Sequence, residues 1–497
     1  MGQLCYQQAG ASTVLQPSIS MDRHGHISPV GLTLVLTALF SLSLPTVAVA
    51  EEESPTLWLV SAEAGAGPID GDLFVNFTPR LTALRPVPLL WCENDEECET
   101  MLEVSLHLPL RLDVTGADDG IIRREDWLEP RDYFRLLRRL EYGSTQEPLH
   151  LRLGEIGPVQ LGHGTVVNDY YNVVTTDHYR PGLTAQFDDD RWGAEVLIND
   201  LTGPNLFGLR GRWRPEQLYD EESKWRRFAL GASTTADVTA PWQLAEADDD
   251  TGDVVAGTGL LPVVDEARPT VVTGVDARWE LPAGSGWSIT PYTDLNHHFG
   301  LGTGVHLGLI WNQQFGEDIR LSSRLEYRLL TGRYIPDYFD HAYELTRYHH
   351  PDFTAPDDEP AAPRLRAASR ISPQTRHGGL LRLQSRFFEW LTLSAAYADA
   401  TGPTGASLRF RASYDHEDRG RFGVFYAKSA PGERSFGDTM TELFGVDGAL
   451  TAVEARYTIW GPIYGHGQLA QLWRVTEQGE IDHVYLWNIG VGAGARF

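Results

Sequence analysis

From residue 102 to residue 114 the chain reads LEVSLHLPLRLDV, with Leu102, Val104, Leu106, Leu108, Leu110, Leu112 and Val114 on one parity. Glu103, Ser105, His107, Arg111 and Asp113 occupy the other. Period-two alternation of this kind predicts a strand with one apolar and one polar face. The pattern recurs. Ile319, Leu321, Leu325, Tyr327 and Leu329 oppose Arg320, Arg324, Glu326 and Arg328, while Leu301, Val305, Leu307, Leu309 and Trp311 oppose Gly302, Gly304, His306 and Gly308. Leu408, Phe410, Ala412 and Tyr414 oppose Ser407, Arg409, Arg411 and Ser413. The chain closes with Tyr485, Trp487, Ile489, Val491, Ala493, Ala495 and Phe497 against Asn488, Gly490, Gly492, Gly494 and Arg496. A soluble sandwich also alternates, but its strands average nearer five or six residues. These run about 9–13, the length a tilted strand needs to cross a bilayer.

Twenty such segments can be marked, from 57–66 to 483–497. The pair at 148–155 and 158–165 is short enough to fold inside and the first segment is weakly patterned, so the expected number is about 18, within 16–20. The connections carry a stronger signal. Numbered along the chain, the even ones are mostly tight, as at Asp188-Asp189-Asp190, Phe315-Gly316-Glu317 and Gly461-Pro462. The long ones, near 116–147, 166–180, 237–268, 332–375 and 429–446, are all odd. Short turns on one rim and long loops on the other predict an all-β, antiparallel, up-and-down transmembrane barrel. Its apolar face meets lipid and its small or charged face lines a lumen. Trp279, Trp311, Trp460 and Trp487, near segment ends, suit interfacial girdles.

Only one apolar run approaches the length of a membrane helix, SPVGLTLVLTALFSLSLPTVAVA. It follows Arg23, His24 and His26 and ends at Ala48-Val49-Ala50, the layout of a secretory leader with cleavage after Ala50. Residues 1–20 fit no part of that layout, so Met21 is the expected start, with 1–50 a leader region and 51–497 a single barrel domain. Export removes Cys5 and leaves Cys92 and Cys98, which enclose ENDEE and are expected to form a local disulfide. The formal net charge of −27 argues against a nucleic-acid partner and suits an exposed bacterial surface.

The leader, the amphipathic strands, the acidic chain and the terminal Phe497 together resemble the outer-membrane β-barrels of Gram-negative bacteria, over nearly all of residues 51–497. That resemblance is to an architecture rather than a named family. It implies a place in the bacterial outer membrane, contact with its lipid and lipopolysaccharide, and passage through its assembly machinery. Phe497 would form part of the signal that machinery reads. Ala495 departs from the larger residue many members carry, which weakens that signal.

The expected lumen face is rich in arginine, with Arg111, Arg320, Arg324, Arg328, Arg382, Arg386, Arg409 and Arg411 as solute-contact candidates beside Glu326. Guanidinium rows in a wet pore attract anions and grip carboxylates with two bonds. The competing reading is that carboxylates such as Glu103, Asp113, Glu280, Glu326 and Glu454 pair with them across strands. The chain's 41 basic residues include only two lysines, Lys224 and Lys428, so arginine itself carries little positional information. REDWLEPRDYFRLLRRLEYG predicts a helix in an outer loop, ending at Gly143. It either dips into the lumen as a constriction lined by Arg131, Arg135 and Arg138, or caps the rim.

Gly162-His163-Gly164 reads as a turn or bend. His297, His298, His341, His349 and His350 read as solvated loop residues, without the regular spacing of a metal site. No metal or cofactor site is expected. The leading expectation is a porin-like channel for small hydrophilic solutes, with anions favoured by the arginines, and not an enzyme. Its rivals are a transporter for hydrophobic solutes, which needs an apolar path and a lateral opening, and a structural or adhesive barrel. An outer-membrane hydrolase, the remaining rival, needs a Ser/His or Asp/His pair, for which His163 is the candidate.

Overall fold

Alternating strands that each present a greasy face to the outside must pair on both edges, and here every one does. The computed structural model describes residues 56–497 except 70–71, 91–98, 114–121, 174–178, 190, 216–224, 246–260, 285, 350–361, 417–418, 433, 447 and 476–480. The leader, the expected start and cleavage site, and the Cys92–Cys98 pair lie outside the described residues. Each wall strand pairs antiparallel with its neighbours. The last, Ile481–Arg496, returns to the first, Leu57–Ile69, in a register that sets Arg496 opposite Leu59 and Ile489 opposite Ala66. Phe497 continues the seam, its N–H donating to the Trp58 carbonyl at 2.9 Å while Trp58 N donates to Phe497 O at 3.1 Å. Among the described residues closure leaves the sheet without an edge strand.

Glu99–His107 and Leu110–Asp113 both pair with Asp72–Pro88 and form one wall strand, interrupted at Leu108-Pro109. Val264–Trp279 and Leu281–Gly284 likewise share Trp287–His298 as partner. With these joined, the wall has 20 strands rather than the expected 18. Two segments changed identity. Residues 158–165 are not wall: Gly162 and Gly164 adopt φ of +56° and +70°, which breaks the extended backbone a ladder requires. Leu137–Tyr142, expected as the end of a helix, is a strand between Glu99–His107 and Leu149–Gly154. Pairing on both edges overrides its helical leucine spacing. What precedes it is two 3₁₀ turns, Arg124–Trp127 and Pro130–Leu136, not an α-helix. The two misassignments lie on adjacent connections and cancel, so the parity of every later connection stood.

Leu307, Leu309, Leu325, Tyr327, Leu381 and Leu383 all point outward and are exposed, Leu325 by 62%. A continuous apolar belt on this scale belongs in hydrocarbon, since soluble monomers seldom expose contiguous apolar patches beyond a few hundred Å². Tryptophans gather where the strands meet the short turns. Trp58, Trp192, Trp287 and Trp460 are exposed there, and the Trp225 and Trp279 rings stack at 4.1 Å. Long loops leave the opposite rim; on the short side the longer intervals between strands are those from Pro88 to Glu99 and from Trp213 to Phe228. Among the described residues no helix is long and apolar enough to cross a membrane, so the crossings are strands.

The packed core lies inside the barrel. The described parts of two long loops, 155–181 and 333–375, enter the lumen from the long-loop rim, where Val167–Asn168 of one pairs in parallel with Phe339–Asp340 of the other. Ile156, Val167, Tyr170, Tyr334, Phe339 and Tyr343 form a buried cluster with Leu365 and Ala368 of the helix Arg364–Arg370. The cluster packs on the wall through Leu197, Leu206, Val272 and Leu330. Gly304 is required here, because a Cβ would collide with the Tyr334 ring. The histidines follow this inward fold. His298 and His349 are buried rather than solvated and His341 is partly buried, while His297 stays exposed and His350 lies outside the described residues.

Candidate functional site: the lumen wall

The expected arginines divide by neighbourhood. On Ile319–Gly332, Arg324, Glu326 and Arg328 face the lumen but are buried in a knot. Glu326 accepts from Arg328 Nε at 2.6 Å and from Arg324 and Tyr292, and its Oε1 lies 3.0 Å from His306 Nδ1. Tyr292 reaches Glu326 across Gly308, where any side chain would strike its ring. Arg328 also donates to Asp337 of the inner loop at 3.0 Å, and Arg324 donates to the His163 carbonyl. These three residues therefore brace loop against wall. Arg111 is equally buried, 3.2 Å from Asp126, which also draws in Arg123 and Arg135.

Of the three constriction candidates, Arg138 is the one that reaches an inner loop. It is the extra residue of a bulge in Leu137–Tyr142, which lets consecutive arginines turn inward, and its Nε lies 3.3 Å from Glu155 of the inner loop. Arg135 is buried on Asp126. Arg131 is exposed and pairs with Glu129 at 2.6 Å, so it lines no constriction. The segment is neither plug nor free cap; Asp126 pins it to the wall.

On the strands that follow Ile319–Gly332 along the wall the surroundings loosen, although Arg382 lies opposite Arg324 in register. Arg382 on Arg376–Phe387 and Arg409 on Ala406–His416 both grip Asp169 of the 155–181 loop, Arg409 Nη1 at 3.0 Å. Arg411 donates to the Tyr171 hydroxyl and lies over the Tyr171 and Phe425 rings at 5.4 and 5.5 Å. Arg320 and Arg386 face each other in register near the short-turn rim, and neither forms an ion pair with another described residue. Arg80 and Glu63, on neighbouring strands, pair at 2.7 Å with both side chains partly exposed inside the lumen.

Burial works to raise the Asp169 carboxyl, but the Arg409 and Arg382 guanidiniums outweigh it and hold it below the usual carboxylate range. Burial, and then the charge of Arg409, presses the His341 imidazole down to about 4. His341 is thus neutral near pH 7, and its Nδ1 lies 3.3 Å from Arg409 Nη1 as an acceptor.

His163 stacks on Tyr292, with ring centroids 4.1 Å apart, and its Nε2 is 3.4 Å from Asp276 Oδ1. Asp276 instead binds Arg210 through two bonds, at 2.8 and 3.1 Å. Hydrolysis needs a nucleophile oriented by the histidine, and no Ser, Thr or Cys hydrogen bond to the His163 ring occurs among the described residues. Nor do they hold a His/Cys/Asp/Glu cluster able to take a metal.

The alternation marked the lumen arginines but not their partners. Asp169 and Tyr171 lie in a segment expected as turn and loop, and His341 and Glu344 in one expected to be solvated. The readable signal was aromatic content. RYIPDYFDHAYELTRY carries too many buried-type rings for a loop in water.

A closed antiparallel sheet, apolar outside and charged inside, with short turns on one rim, is the architecture of a bacterial outer-membrane barrel. The chain is a barrel of that kind and lies in the outer membrane. No protein-family model matches it, and no curated protein matches it. Similar solved structures include Pseudomonas aeruginosa OccK11 (OpdR), at 10% identity and TM-score 0.33, covering 89% of this chain and 96% of that one. Acinetobacter baumannii OccAB4 has 10% identity and TM-score 0.31, with 90% and 100% covered. Pseudomonas aeruginosa OccK2 (OpdF), solved in complex with glucuronate, has 10% identity and TM-score 0.32, with 89% and 97% covered. Overlap this loose says nothing about solute or mechanism.

Proposed function

We propose that the protein is a passive channel for small hydrophilic solutes, with a preference for anions. The observation carrying this reading is that charged side chains on the lumen face stay partly exposed although the barrel is closed around them. Arg80, Arg138, Arg382 and Arg409 keep 15–21% of their side-chain surface open. Water must reach them from inside, because the outer surface at that height is leucine and aromatic. The inner loops narrow the lumen, and the solute path runs past Arg382, Arg409 and Arg411, where Asp169 and Tyr171 of one loop reach the wall, and toward Arg320 and Arg386. Cation charge presented on one side of a confined wet passage raises the local concentration of anions and steers them inward. Many other arginines, those on Glu326, Asp126, Glu141 and Asp276 among them, are structural pairs and contribute little to selectivity.

Purified protein in a planar bilayer is expected to give discrete conductance steps. Under a potassium chloride gradient the reversal potential should have the sign of chloride preference. A bilayer that stays sealed defeats the channel; steps with cation preference defeat the anion reading alone.

A further inference from the structure

Between the strands bearing Arg382 and Arg409 runs Leu391–Ala400, whose Ala396 lies opposite both in register, with Ser394 and Ala398 two residues to either side on the same face. The two guanidiniums therefore flank a trough floored by small side chains. Asp169 lies over this trough. One oxygen, Oδ2, bonds both Arg382 and Arg409, the arrangement an incoming carboxylate would make. The backbone behind it is fixed. Asn168 and Tyr170 on either side are fully buried, Tyr170 N donates to Val159 O at 2.9 Å, and Asn168 belongs to the parallel pair with Phe339–Asp340. Asp169 itself has φ of +54°, a left-handed conformation uncommon for a residue with a side chain. Strain held in place by rigid neighbours marks sites where the side chain has work to do. The carboxylate, by contrast, keeps 28% of its side-chain surface open. Beside it, Asn168 Oδ1 accepts from Arg382 at 3.0 Å, while the buried Nδ2 of the same amide has no partner. A spare donor thus adjoins two guanidiniums.

We propose that Arg382 and Arg409 form a binding site for the carboxylate group of a passing solute, and that Asp169 is its resident occupant. Entry of a solute displaces the Asp169 side chain by rotation, while the loop backbone stays where it is. No bond is made or broken; one carboxylate replaces another on the same two cations. Asp169 thereby sets specificity, since an anion too weak to compete for both guanidiniums passes without pausing. The inference rests on the channel reading for its physiological meaning but not for its geometry.

Asp169→Asn tests it, because asparagine suits the left-handed backbone and removes only the charge. The ratio of chloride to potassium permeability is expected to rise about fivefold over wild type, the weight of one unit charge a few ångströms from an ion in water. Sodium acetate at constant ionic strength should raise the unfolding temperature of the detergent-solubilised variant, and not of wild type, whose site is filled. Adding Arg382→Gln should abolish that protection. Unchanged selectivity together with no acetate protection overturns the site and leaves the channel standing. Acetate protection in a barrel that carries no current would defeat the channel and uphold the site.

Discussion

Glu344→Ala is expected to turn a quiet pore into a noisy one of higher conductance. Glu344 lies on the short helix Tyr343–Thr346, its side chain wholly buried, where the two inner loops meet the wall. It accepts from Tyr170 Oη at 2.6 Å, Arg180 Nη1 at 3.0 Å and Asn199 Nδ2 at 3.3 Å. Removing it strands a buried guanidinium and a buried hydroxyl, and breaking such a pair costs about 3–5 kcal/mol. The wall ladder does not pass through Glu344, so the barrel should remain closed while the loops open. Single-channel recording reads the change in conductance, limited trypsin digestion reads the freed loops, and heat-modifiable migration on gels reads the intact wall. Glu344→Gln keeps the shape without the charge and should fall between. Wild-type conductance and protease resistance in the alanine variant would show that the loops are held by their apolar cluster alone.

The second large effect concerns the outer face. Leu325→Arg is expected to destabilise the barrel in lipid by about 2–4 kcal/mol, the cost of a cation on the lipid face near the bilayer midplane. Leu325 lies mid-strand in Ile319–Gly332 and points outward. Ser322→Arg, three residues away on the opposite parity, places the same cation in the lumen and should cost far less. Denaturant titration of each variant refolded into vesicles measures the difference. Equal losses at both positions would mean that the two faces are not differently solvated.

Period-two alternation made the wall legible, because a strand that faces lipid on one side and water on the other must alternate wherever it is not bulged, as it is at Arg138. Loop parity made the topology legible, because one rim is turned tightly by Gly461-Pro462 and Phe315-Gly316-Glu317 while the other carries the long excursions. The strand number was harder. Leu137–Tyr142 has leucines at helical spacing and six residues only, and nothing local reveals that both of its edges find partners. Residues 158–165 look extended in sequence, and only the backbone of Gly162 and Gly164 shows that they turn. The site was half legible. Glycine opposite leucine was read as a small lumen face, whereas Gly304 and Gly308 are slots that admit Tyr334 and Tyr292. The arginines could be placed on the correct face, but a carboxylate delivered from a loop hundreds of residues away, as Asp169 is to Arg382 and Arg409, leaves no periodic trace.

The most direct test of the account is the accessibility of single nitroxide labels in lipid vesicles, at Leu325 and Leu383 on one parity and at Ser322 and Arg386 on the other. Dissolved oxygen should relax the first pair and a water-soluble nickel chelate the second. Labels at Leu325 and Leu383 that answer to the chelate, or labels at Ser322 and Arg386 that answer to neither probe, would contradict a barrel with hydrocarbon outside and water within.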